Sequence, residues 1–353
     1  MRAWAVVETR KPLQEIELPT PEPTGSQVLL EVTHAGVCHS DLHIWEGEYD
    51  LGSRGKMLLS DRGVKLPLAM GHETVGRVLK WGPDAEGHGL AVGQTRIVFP
   101  WVGCGRCARC RAEEDNMCAQ GRAIGIFQHG GYATHVLVPE PRHLVDPGNI
   151  DHALAATYAC SGITVYSAIN KVMPLAPDEA IVLVGAGGLG LQAISVLKAL
   201  GHRRIVSVDL GAGKLAAARE AGASDTLDAS MGDVTRRLLD LCGGPVMAVI
   251  DLVNGTETAR FAFDALAKGG RLVQVGLFGG ELTVPLPVMA MKAVTVQGSY
   301  VGNPKELRAL VALGQSGRLP GIPITREPLA AADSALQRLR AGKVTGRIVL
   351  TAG

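Results

Sequence analysis

Short apolar runs broken by Gly and Pro fill the chain from residue 1 to about 150; Val28-Leu29-Leu30-Glu31-Val32 and Arg96-Ile97-Val98-Phe99 are examples. Runs of this kind between turn residues read as strands, so this part is expected to be mainly β. From about residue 180 the period changes. Apolar strands at 181–184, 205–209, 246–251 and 272–275 alternate with helical stretches at 189–200, 214–221 and 256–267. Such alternation predicts βαβ units on a parallel sheet, hence an α/β chain with a doubly wound parallel sheet beside a mainly β domain. Beyond residue 296 a helix over 304–313 and a closing strand over 347–350 are expected to return to the first domain. At 353 residues the chain exceeds what one core organises. The expected domains are 1–152 completed by 297–353, and 153–296 between them. No internal repeat and no low-complexity linker interrupts this division.

Composition narrows the classes. Apolar residues at 46% and charged residues at 20% exclude disordered and fibrous chains. With 35 basic against 34 acidic side chains, no long-range field gathers nucleic acid or an anionic membrane, and a small, mostly neutral substrate fits better. The first residues carry charges at Glu8, Arg10 and Lys11 and lack the apolar core of a secretory signal, so a cytoplasmic protein is expected. The uncharged stretch 180–197 approaches membrane-span length, yet it contains Gly185, Gly187, Gly188 and Gly190 and reads as strand, turn and helix.

That glycine cluster is the first chemical signal. The strand at 181–184 runs into Gly185-Ala186-Gly187-Gly188-Leu189-Gly190 and then into a helical stretch, the context a dinucleotide fingerprint needs. The first glycine allows the tight turn, the second admits a pyrophosphate to the backbone, and the third lets helix and strand pack closely. Asp209 follows Gly190 by nineteen residues and ends the next strand. A carboxylate there accepts hydrogen bonds from ribose hydroxyls and repels a 2′-phosphate, so NAD is expected over NADP. A turn that binds nothing and a solvated strand-end carboxylate are the alternatives.

The cysteines are the second signal. Seven occur, at 38, 104, 107, 110, 118, 160 and 242, with four of them inside one fifteen-residue stretch. In a reduced compartment such clustering points to metal ligands rather than disulfides. Cys104, Cys107, Cys110 and Cys118, at steps of three, three and eight, match a closed tetrahedral zinc site that staples a lobe with little core. Iron–sulfur ligation and a redox-active thiol pair compete with that reading. Cys38, His72 and Cys160 are spread out, and each alone fits a buried structural residue. Cys242 fits no ligand pattern and is expected to be a small buried apolar residue.

Taken together, Gly36-Val37-Cys38-His39-Ser40-Asp41-Leu42-His43, Gly71-His72-Glu73, Ala159-Cys160-Ser161-Gly162, the four-cysteine segment, the glycine fingerprint and Val275-Gly276-Leu277-Phe278-Gly279 resemble the zinc-containing medium-chain alcohol dehydrogenases, especially prokaryotic tetrameric members. The resemblance covers essentially the whole chain. It implies a GroES-like catalytic domain built from both ends of the chain, a Rossmann domain between them, and reversible hydride transfer between an alcohol and NAD in the cleft. It further implies two zinc ions per chain: a catalytic one on Cys38, His72 and Cys160, and a structural one on the four clustered cysteines. Asp41 corresponds to the carboxylate that orients the ligating histidine. Glu73 corresponds to a carboxylate behind the metal, with a plain buried carboxylate paired with arginine as the alternative.

By the same resemblance, Ser40 and His43 form a proton relay away from the alcohol oxygen. The expected cofactor set is His39, Gly185, Gly187, Gly188, Leu189, Gly190, Asp209, Lys214, Val275 and Arg347, a solvated surface charge being the alternative for Arg347. Trp45, Tyr49, Trp101, Tyr158, Leu277 and Tyr300 resemble pocket positions; an aromatic, dry pocket favours hydrophobic or cyclic primary and secondary alcohols, aldehydes and ketones. The same aromatics could equally be core. A homotetramer is implied, a dimer being the alternative. Rival readings are a polyol, threonine or aldehyde-directed dehydrogenase of the same superfamily, a zinc-lacking quinone reductase relative, which Cys38, His72 and Cys160 oppose, and a zinc-module binding protein suggested by Arg106, Arg109 and Arg111 in the cysteine segment.

Overall fold

A computed structural model describes residues 1–352. The catalytic domain opens with β1 (Arg2–Val6) and β2 (Gln14–Glu17), then the long β3 (Val28–Val37), α1 (His39–Glu46), and the hairpin β4 (Glu48–Asp50) and β5 (Lys56–Leu58). It continues through β6 (Leu68–Ala69), β7 (Glu73–Trp81), β8 (Thr95–Val98), the short α2 (Ala108–Arg111), β9 (His135–Val138) and β10 (Leu144–Val145). Two helices, α3 (His152–Thr157) and α4 (Ile163–Val172), cross to the second domain. That domain contains β11 (Ile181–Val184), α5 (Gly188–Ala199), β12 (Ile205–Asp209), α6 (Ala212–Ala221), β13 (Asp225–Asp228), α7 (Val234–Cys242), β14 (Val246–Asp251), α8 (Thr256–Asp264), β15 (Leu266–Gln274), α9 (Leu286–Lys292) and β16 (Thr295–Gly298). The chain then returns by α10 (Pro304–Gln315), β17 (Ile324–Pro328), α11 (Ala332–Arg340) and β18 (Arg347–Thr351).

Strand β3 organises the catalytic domain. Seven of its ten residues are buried, and its register against β7 shifts between Leu29 and Leu30 and again between Val32 and His34. The resulting bend gives it two partners along one edge: Val28–Glu31 pair with β9, and His34–Val37 pair with β18. The sheet order is β10-β8-β7-β3-β18-β17, so the end of the chain is a central strand of the domain that the beginning starts. In the second domain the strands run β13-β12-β11-β14-β15-β16, all parallel, the doubly wound order that leaves a crevice at the carboxyl ends of its central strands. Strand β11 is buried throughout, which is why it reads as an unbroken apolar run.

The parallel sheet differs from expectation at its edges. Helix α8 stops at Asp264 because Leu266 already pairs with Val246, so the helix expected over 256–267 gives way to a longer β15. The junction expected between 296 and 297 falls inside β16, whose Val296 and Gln297 both pair with β15. Helix α10 packs on α4 and on the turn at 158–162, and one buried apolar cluster runs from Cys38 and Trp101 through Ile163 to Ile181, Leu307 and Leu310. The two domains therefore share a core along this seam. Among the described residues no helix is long and apolar enough to cross a membrane.

Gly190 marks how closely α5 approaches β11, since a Cβ there would lie 2.1 Å from the Gly185 carbonyl oxygen. Overpacking at such a contact costs about 1–3 kcal/mol. Gly190→Ala is expected to lower the midpoint of thermal unfolding by several degrees; an unchanged midpoint contradicts this packing.

Candidate active site

Antiparallel pairing of β3 with β7 places Gly36 opposite Glu73, so Cys38, leaving β3, and His72, entering β7, meet at one end of the sheet. Cys160 reaches the same point from the turn at 158–162 that joins α3 to α4, a π-type bulge of the kind that gathers at functional sites. All three side chains are buried, and one ligand atom of each lies within 4.8 Å of the others. The two sulfurs are 3.9 Å apart, and the hydrogen bond between them draws the Cys38 thiol well down and pushes Cys160 up. Burial works against protonation of His72, but Asp41 and Cys38 outweigh it and hold its pKa well above the ordinary imidazole range. Its Nε2 is buried with no hydrogen-bond partner among the described residues. Two soft sulfurs and an orphaned imidazole nitrogen, converging on one point, suit a zinc ion.

Buried carboxylates back this trio. Asp41 Oδ1 lies 3.2 Å from His72 Nδ1, while Oδ2 accepts from the Cys38 N–H at 2.9 Å and from the Tyr132 hydroxyl at 3.0 Å. Glu73 turns away from the trio: Oε1 accepts from the Ser161 N–H at 3.1 Å, and Oε2 pairs with the Arg347 guanidinium. Burial pushes the Glu73 carboxyl up to about 7, with Arg347 pulling against it. Only glycine fits opposite, because a Cβ on Gly36 would lie 2.1 Å from Glu73 Oε2. Arg347 is 6% exposed, so it is not a solvated surface charge.

The cleft between the domains has a volume of about 1710 Å³; Cys38 and Cys160 line it, and His72 lies buried behind them. Ser40 and His43, one turn apart on α1, line its floor. Burial, then His39, lowers the His43 pKa to about 4, which leaves the ring neutral at physiological pH. His39, also lining the cleft, is exposed at the start of the helix.

The glycine turn faces the same space. Gly185 has φ +104, the left-handed region that glycine alone occupies readily. A Cβ on Gly187 would meet nothing within 4 Å, whereas one on Gly188 would strike the Arg347 side chain at 2.4 Å. The start of α5 has no side-chain cap among the described residues, leaving its first amides and Leu189 open to the cleft. Asp209, largely buried, accepts from the Ala186 N–H and the Leu210 N–H, each at 2.7 Å, with Lys214 3.6 Å away. Val275 lines the cleft at the end of β15.

Cys104, Cys107, Cys110 and Cys118 form a second cluster, far from the cleft floor, with ligand atoms again within 4.8 Å of one another. Cys107 Sγ lies 3.5 Å from Cys110 Sγ and 3.8 Å from Cys118 Sγ. Backbone amides of Arg106 and Cys107 draw Cys104 down to about 6, whereas burial pushes Cys110 up to about 12. The lobe is tied to the body by Asp115, which accepts two hydrogen bonds from Arg142 at 3.0 and 2.7 Å.

The aromatic residues divide. Tyr49, Trp101, Leu277 and Tyr300 line the cleft, with Trp101 5.4 Å from the His72 ring and 5.7 Å from the Tyr300 ring. Trp45 and Tyr158 do not. Trp45 is 4% exposed in the catalytic-domain core, its indole donating to Lys11 O and its face covered by Arg340. Tyr158 is fully buried against Gly162 and Gly314 in the shared core, because the turn that aims Cys160 at the cleft aims Tyr158 away from it. Sequence reasoning missed Thr164, a buried cleft-lining residue whose hydroxyl has no partner among the described residues. Its only signal was its place four residues after Cys160 on the same helical path.

Comparison with known proteins agrees with this geometry. Residues 24–147 match the alcohol dehydrogenase GroES-like domain and residues 188–316 match the zinc-binding dehydrogenase family. The chain is 37% identical to the NAD-dependent alcohol dehydrogenase of Sulfurisphaera tokodaii over 352 residues, 99% of each chain. It is also 37% identical to that of Saccharolobus solfataricus, again over 99% of each. The crystal structure of the alcohol dehydrogenase from Aeropyrum pernix superimposes with a TM-score of 0.90 at 32% identity, covering 99% of this chain and 100% of that one. The chain belongs to the zinc-containing medium-chain alcohol dehydrogenase family. It is an oxidoreductase whose fold joins a GroES-like domain to a Rossmann-type sheet.

If the clustered cysteines staple the lobe, Cys107→Ser should lower thermal stability by about 2 kcal/mol or more while leaving turnover per folded molecule near that of the parent. Scanning calorimetry alongside active-site-normalised rates checks this. Intact stability with lost turnover overturns the structural reading.

Proposed function

We propose that this enzyme catalyses the reversible, NAD-dependent oxidation of hydrophobic or cyclic primary and secondary alcohols to aldehydes and ketones. The observation that carries the proposal is the convergence of Cys38, His72 and Cys160 on one buried point, two of them lining the cleft that also holds the open face of the glycine turn. Cys38, His72 and Cys160 would hold a catalytic zinc, and Cys104, Cys107, Cys110 and Cys118 would hold a structural one. When bound, zinc supplies a Lewis acid that lowers the pKa of the alcohol, and NAD supplies the hydride acceptor.

The remaining work falls to the chain's own groups. Asp41 orients His72. The amides of Gly188, Leu189 and Gly190, with Arg347 beside Gly188 and His39 across the cleft, receive the pyrophosphate. Asp209 receives the adenosine ribose, Lys214 lies beside it, and Val275 and Thr164 border the nicotinamide end. Ser40 takes the alcohol proton and His43 carries it on, a neutral imidazole being the form able to accept it. Tyr49, Trp101, Leu277 and Tyr300 give the substrate dry, aromatic walls. Glu73 acts through Arg347 and does not touch the substrate. The edge position of β16 and the exposed Leu286 and Met291 of α9 support self-association, for which the family resemblance implies a homotetramer with a dimer as the alternative, and six thiols clustered at two candidate metal sites suit a reducing cytoplasm.

An anaerobic assay at the NADH absorbance band, with metal-quantified protein and a broad alcohol panel, tests the proposal. The expected result is about two zinc per chain and NADH formation that is fastest with cyclic or long-chain alcohols. Protein carrying both ions that reduces NAD with none of them rejects it. Asp209→Gly should erode the preference for NAD over NADP, and an unchanged ratio of the two kcat/KM values discredits the ribose role. His43→Ala should slow alcohol oxidation on the order of 10²-fold near neutral pH. Because the ring stays neutral down to about pH 4, the parent keeps its relay across the assay range. The variant's deficit should therefore shrink as pH rises and solvent hydroxide takes over; a deficit that does not depend on pH argues against a relay.

A further inference from the structure

We propose that Asn116, on the four-cysteine lobe, is a positioning residue for substrate selection: it grips the Tyr300 carbonyl and so fixes the aromatic wall that Tyr300 and Trp101 present to the alcohol. The inference rests on the alcohol dehydrogenase reading of the cleft.

The lobe holds the segment after β16 at two points. Asn116 Nδ2 donates to Tyr300 O at 2.9 Å, and Glu113 accepts from Arg308 on α10 at 2.6 Å. Amide orientation is settled chemically, since the other rotamer would set Oδ1 against a carbonyl oxygen. The Asn116 Oδ1 atom is itself buried with no partner among the described residues. The hold on this side chain therefore comes from its Nδ2 bond to the Tyr300 carbonyl.

What Asn116 holds is under strain. Val301 sits at φ +43, a left-handed backbone conformation that a β-branched residue adopts only when its surroundings impose it. Gly302 follows, where a Cβ would lie 2.5 Å from Ile163, so the segment cannot relax inward. The strained residue Val301 directly follows Tyr300, and both line the cleft. Tyr300 is 51% exposed and meets Trp101 edge to face at 5.7 Å, so burial alone holds its ring only in part. Its position depends on its backbone, and its carbonyl is anchored by Asn116. Trp101 is independently fixed, its indole donating to Ala159 O at 3.0 Å. The wall therefore has one rigid half and one half set by the lobe.

The test compares zinc-loaded parent, Asn116→Ala and Asn116→Asp on cyclohexanol and ethanol. Losing one such hydrogen bond should lower the cyclohexanol-to-ethanol ratio of kcat/KM about 3- to 10-fold, through KM for cyclohexanol, with kcat for ethanol and KM for NAD unchanged. Asn116→Asp keeps the shape but replaces the donor by a carboxylate oxygen. It should be at least as damaging as Asn116→Ala, whereas a residue that merely packs the lobe would tolerate it. In a Tyr300→Ala background the Asn116→Ala change should add less than about 2-fold, since residues acting through one another are not additive. A ratio unmoved by either variant, or an equal effect with and without Tyr300, overturns the proposal. A crystal structure of Asn116→Ala gives a readout independent of turnover: the Tyr300 ring should shift from Trp101, and unchanged ring geometry also overturns it. Should the parent oxidise no alcohol, the functional reading falls while the ring position still decides the role of Asn116.

Discussion

The pairing of β3 with β7 is the constraint from which the site follows. A shift of one residue in that register would turn alternate side chains to the opposite face and part Cys38 from His72. Register is held from both sides. Gly36 leaves room for the Glu73 carboxylate folded over it, and Asp41 ties the first turn of α1 back to the Cys38 amide. The third sulfur arrives from the seam between domains, where α3, the bulged turn and α4 belong to the shared core rather than to either sheet alone.

Burial makes the charge balance of this site exacting. Asp41 Oδ2 is satisfied by an amide and a hydroxyl while Oδ1 lies against the edge of His72; Glu73 is satisfied by Arg347 and an amide. Charges removed from water are tolerated when each has a close partner and its remaining lone pairs are bonded. After those pairings, two sulfurs 3.9 Å apart and an imidazole whose nitrogens have no hydrogen-bond partner among the described residues are left over. A divalent cation would close that remainder.

Much of this was legible in the sequence, and the failures have physical causes. Strand β11 and the glycine turn were plain because a strand covered on both faces leaves an unbroken apolar signature and because the turn needs glycine at fixed steps. Strand β13, Asp-Thr-Leu-Asp, was invisible: three of its four residues are only partly buried, so it carries no apolar period. The end of α8 was misplaced because Leu266 and Ala267 suit either a helix or a strand, and the partner Val246 decides. The cysteine spacings exposed the lobe, whereas the trio emerged only from resemblance, since spacing says nothing about single residues scattered along the chain at positions 38, 72 and 160. Trp45 and Tyr158 failed for a different reason: an aromatic residue type does not reveal which way a bulged turn or a helix points it.

The position of Arg347 couples the two domains. The arginine that pairs with Glu73 and lies against the glycine turn is carried by β18, a strand of the catalytic-domain sheet, whereas the glycine turn belongs to the parallel sheet. One guanidinium thus neutralises a buried carboxylate in one domain and abuts the fingerprint of the other. A movement that parted the domains would strip Glu73 of its counter-charge and dismantle the seat for the cofactor in the same stroke.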